Sequence, residues 1–173
     1  HVRRSSTAVG TPEAGLVSLV SVAHRIGIRR IALSRSTRMR GVRGGARRGG
    51  LFIASFEHGP NADAIRWYLE EIHERVRALL PDFELSVIGT DAPQWLFAWK
   101  QPGVRVLGPV PDLDAPFGAA RLSIAPLRFG AGVKGKINTS QSYGVPVVAT
   151  AVGAEGMQLV HGESVWVADS PDA

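Results

Sequence analysis

The 173-residue chain contains no cysteine, which removes disulfides, thiolate zinc sites and cysteine nucleophiles together. It also lacks any run approaching the roughly 18 uninterrupted apolar residues that a membrane-spanning helix requires. The first fifty residues lack lysine and aromatic side chains and hold one acid, Glu13. Against it stand eleven arginines, including Arg3, Arg4, Arg43, Arg47 and Arg48, for a net charge of +10. Residues 51–173 carry nine bases and fourteen acids, a net −5, so the whole-chain +5 describes neither part. Composition is otherwise that of one ordinary globular domain, 45% hydrophobic and 20% charged.

Residues 1–50 read as a basic Arg/Gly-rich segment, atypical or poorly ordered. Paired glycines raise backbone entropy and like charges repel, so Ser34 to Gly50 is expected to be loosely attached. Such an arm holds phosphate backbones by counterion release, but without aromatics it offers no stacking surface, and nucleic acid is not the expected partner. Arg3 and Arg4 ahead of the apolar stretch from Ala14 to Ala23 imitate a signal peptide. That stretch is interrupted by Ser18 and Ser21 and has no small-x-small cleavage site. The chain begins with His1, which points to a fragment.

From Leu51 onward short apolar runs alternate with helical patterns. Leu51 to Ser55 reads as a strand, and Asn61 is a good N-cap for a helix reaching Leu80 with Ile65, Tyr68, Leu69, Ile72, Val76, Leu79 and Leu80 on one face. Arg66 with Glu70 and Glu71 with Arg75 are helix-spaced opposite charges. Further strands are expected at Phe83 to Ile88, Val104 to Leu107, Arg121 to Ala125, Pro146 to Ala149 and Ser164 to Ala168. Helical patches are expected near Pro93 to Lys100, Phe117 to Ala120 and Lys136 to Tyr143. This alternation predicts a Rossmann-like α/β fold, a parallel sheet with helices on both faces and ligands at the strands' carboxyl ends.

The stretch Pro126-Leu-Arg-Phe-Gly-Ala-Gly-Val-Lys-Gly-Lys136 leaves a strand and enters a helix. Gly130, Ala131, Gly132 and Gly135 let backbone approach a ligand closely, the helix supplies N–H groups, and Lys134 and Lys136 add charge. This is the chemistry of a diphosphate cradle, although neither the P-loop nor the G-x-G-x-x-G spacing is present. A second small-residue loop, Ala151 to Gly156, follows the next strand and is expected to frame the same crevice.

Residues 51–173 resemble the C-terminal, nucleotide-sugar-binding half of a group 1 (family 4) glycosyltransferase with the GT-B fold. The resemblance is carried by Ser55-Phe-Glu-His-Gly-Pro-Asn61, Gly108-Pro-Val-Pro-Asp112, the Ala125 to Lys136 stretch, Tyr143 to Thr150, Glu155-Gly156-Met157 and Val167-Ala-Asp169. The Lys-Gly-Lys form is similar to that of a bacterial subgroup that builds surface polysaccharides. The resemblance implies a donor domain, truncated at both ends, of a retaining enzyme moving sugar from a nucleotide diphosphate to a polysaccharide or lipid-linked acceptor. It implies no cofactor and no metal beyond that donor. Lys134 and Lys136 would stabilise the leaving diphosphate, Gly59 and Asn61 would lie near the phosphates, and Val110 near the base. Phe129, Gly130, Ala131 and Gly132 complete the donor set, with Arg128 beside the phosphates and Thr139 or Asn138 at the ribose.

Many members of that family carry an E-x7-E glutamate pair, and its positions here are Ala131 and Thr139, neither acidic. Residues 1–50 cannot supply the acceptor-binding half, so the chain is expected to be inactive alone. Two other functions stay open: a non-catalytic nucleotide-binding module, and a nucleic-acid-binding protein acting through the basic arm. His58, His73 and His161 lack metal-ligand spacing, Trp95 and Trp99 are expected to pack, and Asp63, Asp91, Asp112 and Asp114 read as caps and turn residues. A cytoplasmic location follows from the nucleotide-sugar donor, with peripheral attachment to the inner membrane face through a lipid-linked acceptor.

Overall fold

The computed structural model describes residues 47–172. The signal-peptide imitation and most of the basic arm lie outside those residues. Six strands form one parallel sheet: β1 (Gly50–Ser55), β2 (Leu85–Thr90), β3 (Val104–Gly108), β4 (Leu122–Ala125), β5 (Val147–Ala149) and β6 (Trp166–Val167). Their spatial order is β3-β2-β1-β4-β5-β6, the doubly wound Rossmann-like arrangement in which the chain reverses its direction across the sheet between β1 and β4. The helices are α1 (Gly59–Trp67), α2 (His73–Leu79), α3 (Gln94–Phe97), α4 (Asp114–Ala119), α5 (Gly135–Ser142) and α6 (Ala151–Ala154).

Period-two alternation divides the sheet's side chains between its faces. Phe52 and Val87 belong to one apolar cluster with Ile65, Leu69 and Leu96. Their neighbours Leu51 and Ile88 join a second cluster with Phe117 and Val145. The ring of Phe117 stacks on Tyr143 at 4.5 Å between centroids, tying α4 to the end of α5. Phe52 is fully buried, which alone contributes about 2–3 kcal/mol of transfer free energy.

Residues 47–50, expected to be loose, are ordered. Gly50 pairs with Leu85 on one side and Leu122 on the other. The Arg47 guanidinium donates to the carbonyls of Gly144 at 3.2 Å and Tyr143 at 3.4 Å, where a cation complements the carbonyl end of α5. Charge composition misleads here because the Arg47 side chain docks on carbonyl groups supplied almost a hundred residues later.

The first helix departs from its expected form at both ends. It starts at Gly59 with His58 as N-cap, because Pro60 fits the first turn, where its missing N–H is no loss. Asn61 sits inside that turn, with its side chain turned back to the Ser55 carbonyl. A π turn at Tyr68–Ile72 then inserts an extra residue between α1 and α2 and rotates the apolar face. His73 turns fully inward, while Leu79 is 47% exposed. The expected ion pairs of the exposed face are replaced by other contacts: Arg66 lies 4.4 Å from the centre of the Trp95 ring, and Arg75 meets Asp172 at 2.5 Å.

His73 lies between Tyr68 and Phe83 and donates through Nε2 to the Pro102 carbonyl at 2.9 Å, while Nδ1 is buried without a partner. Burial lowers its pKa below 6.5, and the nearby Arg77 acts in the same sense, against the Pro102 hydrogen bond and Glu74. The unfolded chain therefore binds more protons than the folded one just below pH 6.5, so this contribution to stability is present above that pH and is lost as pH falls. Thermal melts at pH 7.5 and 5.5 are expected to drop further in the wild type than in His73→Gln, which keeps a donor for Pro102 and does not titrate.

Candidate functional site

At the carboxyl ends of β1 and β4 the two halves of the sheet diverge and leave a crevice, the place where such sheets receive ligands. A cavity of about 850 Å³ occupies it. Its walls come from the β1–α1 loop, the ends of β2 and β3, and the β4–α5 loop. Nine of the eleven residues expected to bind donor line it: Gly59, Asn61, Val110, Phe129, Gly130, Ala131, Lys134, Lys136 and Thr139.

The remaining two, Arg128 and Gly132, lie outside the lining. Arg128 turns away to Asp63, donating from Nε to Oδ2 at 2.9 Å and from the second nitrogen to Oδ1, with the Trp67 ring 5.7 Å away. A planar guanidinium and a carboxylate matched in two hydrogen bonds make a stable exposed latch. Asp63 is thus Arg128's partner rather than a cap. Gly132 shapes the loop: its φ of 85° and that of Gly130 at 117° lie in the region that glycine favours. Pro60 packs against Gly130, so the first turn of α1 and the β4–α5 loop touch across the crevice.

The two lysines do different work. Lys134 is 8% exposed and donates to the carbonyls of Gly130 at 3.0 Å and Gly132 at 2.6 Å, closing the glycine loop on itself. Lys136 reaches across to α1, donating to Asn61 Oδ1, with Nζ 4.9 Å from the centre of the Phe52 ring. Its pKa is pushed down to about 8, first by burial and then by the charge of Lys134. Thr139 lines the cavity, but its hydroxyl proton is donated back to Gly135 at 3.0 Å within α5.

The Ala151 to Gly156 segment does not line the cavity as expected. It begins as α6, capped by Thr150, whose hydroxyl accepts from Gly153 N at 3.0 Å and donates to the Leu127 carbonyl. Thr150 thereby fastens the β5 end to the β4–α5 loop, so this segment supports that loop from behind. The residues that do frame the crevice opposite that loop are Ile88, Gly89 and Thr90 on β2, and Pro109, Val110 and Leu113 after β3. Their position at strand ends was the available signal. Glu57 and His58 also line it, Glu57 being the one carboxylate to do so among the described residues. Trp95 and Trp99 pack edge to face at 6.1 Å, away from the cavity.

A doubly wound parallel sheet with a glycine-rich, lysine-bearing loop at its switch point defines a Rossmann-like α/β domain. The family model described as glycosyl transferases group 1 matches residues 47–173, and the chain belongs to that family. The chain is 26% identical over 128 residues to an uncharacterized 44.6 kDa protein of the cps region of Klebsiella pneumoniae, covering 69% of this chain and 33% of that protein. In fold it is similar to the pneumococcal O-GlcNAc transferase GtfA, solved in complex with UDP and GlcNAc, at a TM-score of 0.60 and 13% identity. That match covers 78% of this chain and 26% of the transferase, so the chain spans about a third or less of each relative. No helix among the described residues is long and apolar enough to cross a membrane.

Proposed function

We propose that this domain is the donor-binding half of a retaining glycosyltransferase, which moves a sugar from a nucleotide diphosphate to a polysaccharide or lipid-linked acceptor. The observation that carries this reading is the Lys136 ammonium, held in the switch-point cavity beside a glycine loop and the first turn of α5. The β- and γ-type chemistry of a P-loop is not needed: backbone N–H groups and one cation suffice to receive a diphosphate. As the glycosidic bond stretches, negative charge accumulates on the leaving diphosphate, and a preplaced cation lowers the barrier most at that point. The acceptor is engaged by a second Rossmann-like half across the cleft, and turnover requires both. The UDP bound to the pneumococcal transferase and the cps-region setting of the Klebsiella relative support this reading.

Ala131 and Thr139 line the cavity where many relatives place glutamates, which favours a second reading, a nucleotide-binding module without turnover. Supplying the acceptor half separates the two, since only the transferase gains sugar transfer. The first test for either is calorimetric titration of the chain with UDP, GDP and ADP. Saturable binding of one of them is expected, and a folded chain that binds none overturns the donor site.

Affinity should also depend on pH in a defined direction. Lys136 is cationic below about pH 8 and neutral above it. A bound diphosphate favours the cation, so binding takes up a proton above that pH. Affinity is expected to be level from pH 6.5 to 7.5 and to fall roughly tenfold per unit above 8, as read by the same calorimetry in buffers of matched ionic strength.

A further inference from the structure

Asn61 is 9% exposed, and both ends of its amide are engaged. Nδ2 donates to the Ser55 carbonyl at 2.6 Å and Oδ1 accepts from Lys136 Nζ. A carbonyl accepts only and an ammonium donates only, so a single orientation of the amide satisfies both neighbours. The amide thus joins the end of β1, the first turn of α1 and the first turn of α5 around one charge. Phe52 on β1 supplies the aromatic face beside that charge.

We propose that Asn61 is the positioning residue of the donor site, its oxygen fixed by the Ser55 carbonyl so that it holds the Lys136 ammonium over Phe52 and toward the diphosphate. This rests on the donor-site reading and adds to it the residue that acts through Lys136. An unrestrained lysine explores many rotamers of its four-carbon stem, and a half-buried amine sheds its proton readily. A neutral amide oxygen counters both tendencies without cancelling the charge that the ligand needs. Lys134 cannot replace it, because its own ammonium is committed to Gly130 and Gly132.

The charged and titratable groups around Lys136 are few. Lys134 from the β4–α5 loop lowers its pKa, and the only other such groups lining the cavity among the described residues are Glu57 and His58 from the β1–α1 loop. Asp63 on α1 is taken by Arg128, and β1 contributes Phe52 and the Ser55 carbonyl, neither of which titrates. Changing residue 61 therefore changes the protonation of Lys136 through one contact.

The test is titration of the chain with UDP, GDP and ADP from pH 6.5 to 9.5, in the wild type, Asn61→Ala and Asn61→Asp. The Lys136 Cε resonance is followed in parallel in protein carrying 13C-lysine, assigned by its loss in Lys136→Arg. Asn61→Ala is expected to move the Lys136 titration to lower pH and to weaken nucleotide binding at pH 8 by roughly tenfold. Asn61→Asp is expected to move the titration to higher pH while weakening binding at pH 6.5, because its carboxylate keeps the lysine charged but repels the diphosphate. A purely structural role for Asn61 would leave the Lys136 titration unmoved, and that result in whichever variant folds overturns the proposal. If the titrations shift but the wild type binds none of the three nucleotides, the donor-site reading fails and the proposal falls with it.

Discussion

Lys136→Ala is expected to weaken nucleoside diphosphate binding by about 2–3 kcal/mol, or roughly 30- to 150-fold, with little change in thermal stability. The magnitude follows from one hydrogen-bonded ion contact in a partly desolvated site. Stability is spared because Lys136 pays for its half-buried position: its charge is disfavoured by burial and by Lys134, and removing it relieves both. Lys134→Ala should behave in the opposite way. Its ammonium closes the Gly130 to Gly132 carbonyls, so its loss loosens the β4–α5 loop before it removes any ligand contact. Hydrogen exchange of that loop should rise in Lys134→Ala and stay unchanged in Lys136→Ala, while calorimetry ranks Lys136→Ala as the more damaging to affinity. Equal affinity of Lys136→Ala and wild type for UDP, GDP and ADP would remove Lys136 from the donor site.

The strands, their parallel arrangement and the glycine-rich loop between β4 and α5 were legible because each is written locally. Short β-branched runs such as Val147 and Val148, and glycines before a helix, act over a few residues. The features that escaped are those in which distant residues meet. The Tyr68–Ile72 segment has helix periodicity, and only packing of the whole sheet reveals that it closes as a π turn and brings His73 inside. Arg128 looks like a phosphate ligand from its place beside the glycines, yet Asp63, 65 positions earlier in the chain, claims it. Lys134 and Lys136 look equivalent in sequence, and their division of labour depends on Asn61 arriving from another helix. The small-residue segment after β5 was expected to frame the crevice, and instead it braces the β4–α5 loop from behind. Gly153 is small because a Cβ there would stand 2.6 Å from the Ala125 carbonyl oxygen.

The same kind of close approach sets the largest stability effect. Gly89→Ala is expected to destabilise the fold by about 3 kcal/mol and to lower the melting temperature by roughly 10 °C. A Cβ at residue 89 would lie 1.9 Å from the Ala54 carbonyl oxygen and 2.9 Å from the Phe56 ring. Ala54 is the register partner of Gly89 in the central β1–β2 pair, so the obstacle is backbone that cannot swing aside. Relief requires the two strands to part at their carboxyl ends, which are also a wall of the cavity. Nucleotide affinity should therefore fall together with stability, unlike the pattern expected for Lys136→Ala. Gly59→Ala is the control, since a Cβ there meets nothing within 4 Å and the position opens α1, where alanine is the better helix former. Melts of the three proteins decide the matter: a Gly89→Ala transition within 2 °C of wild type, against the roughly 10 °C expected, would mean that β1 and β2 do not approach this closely at the mouth of the site.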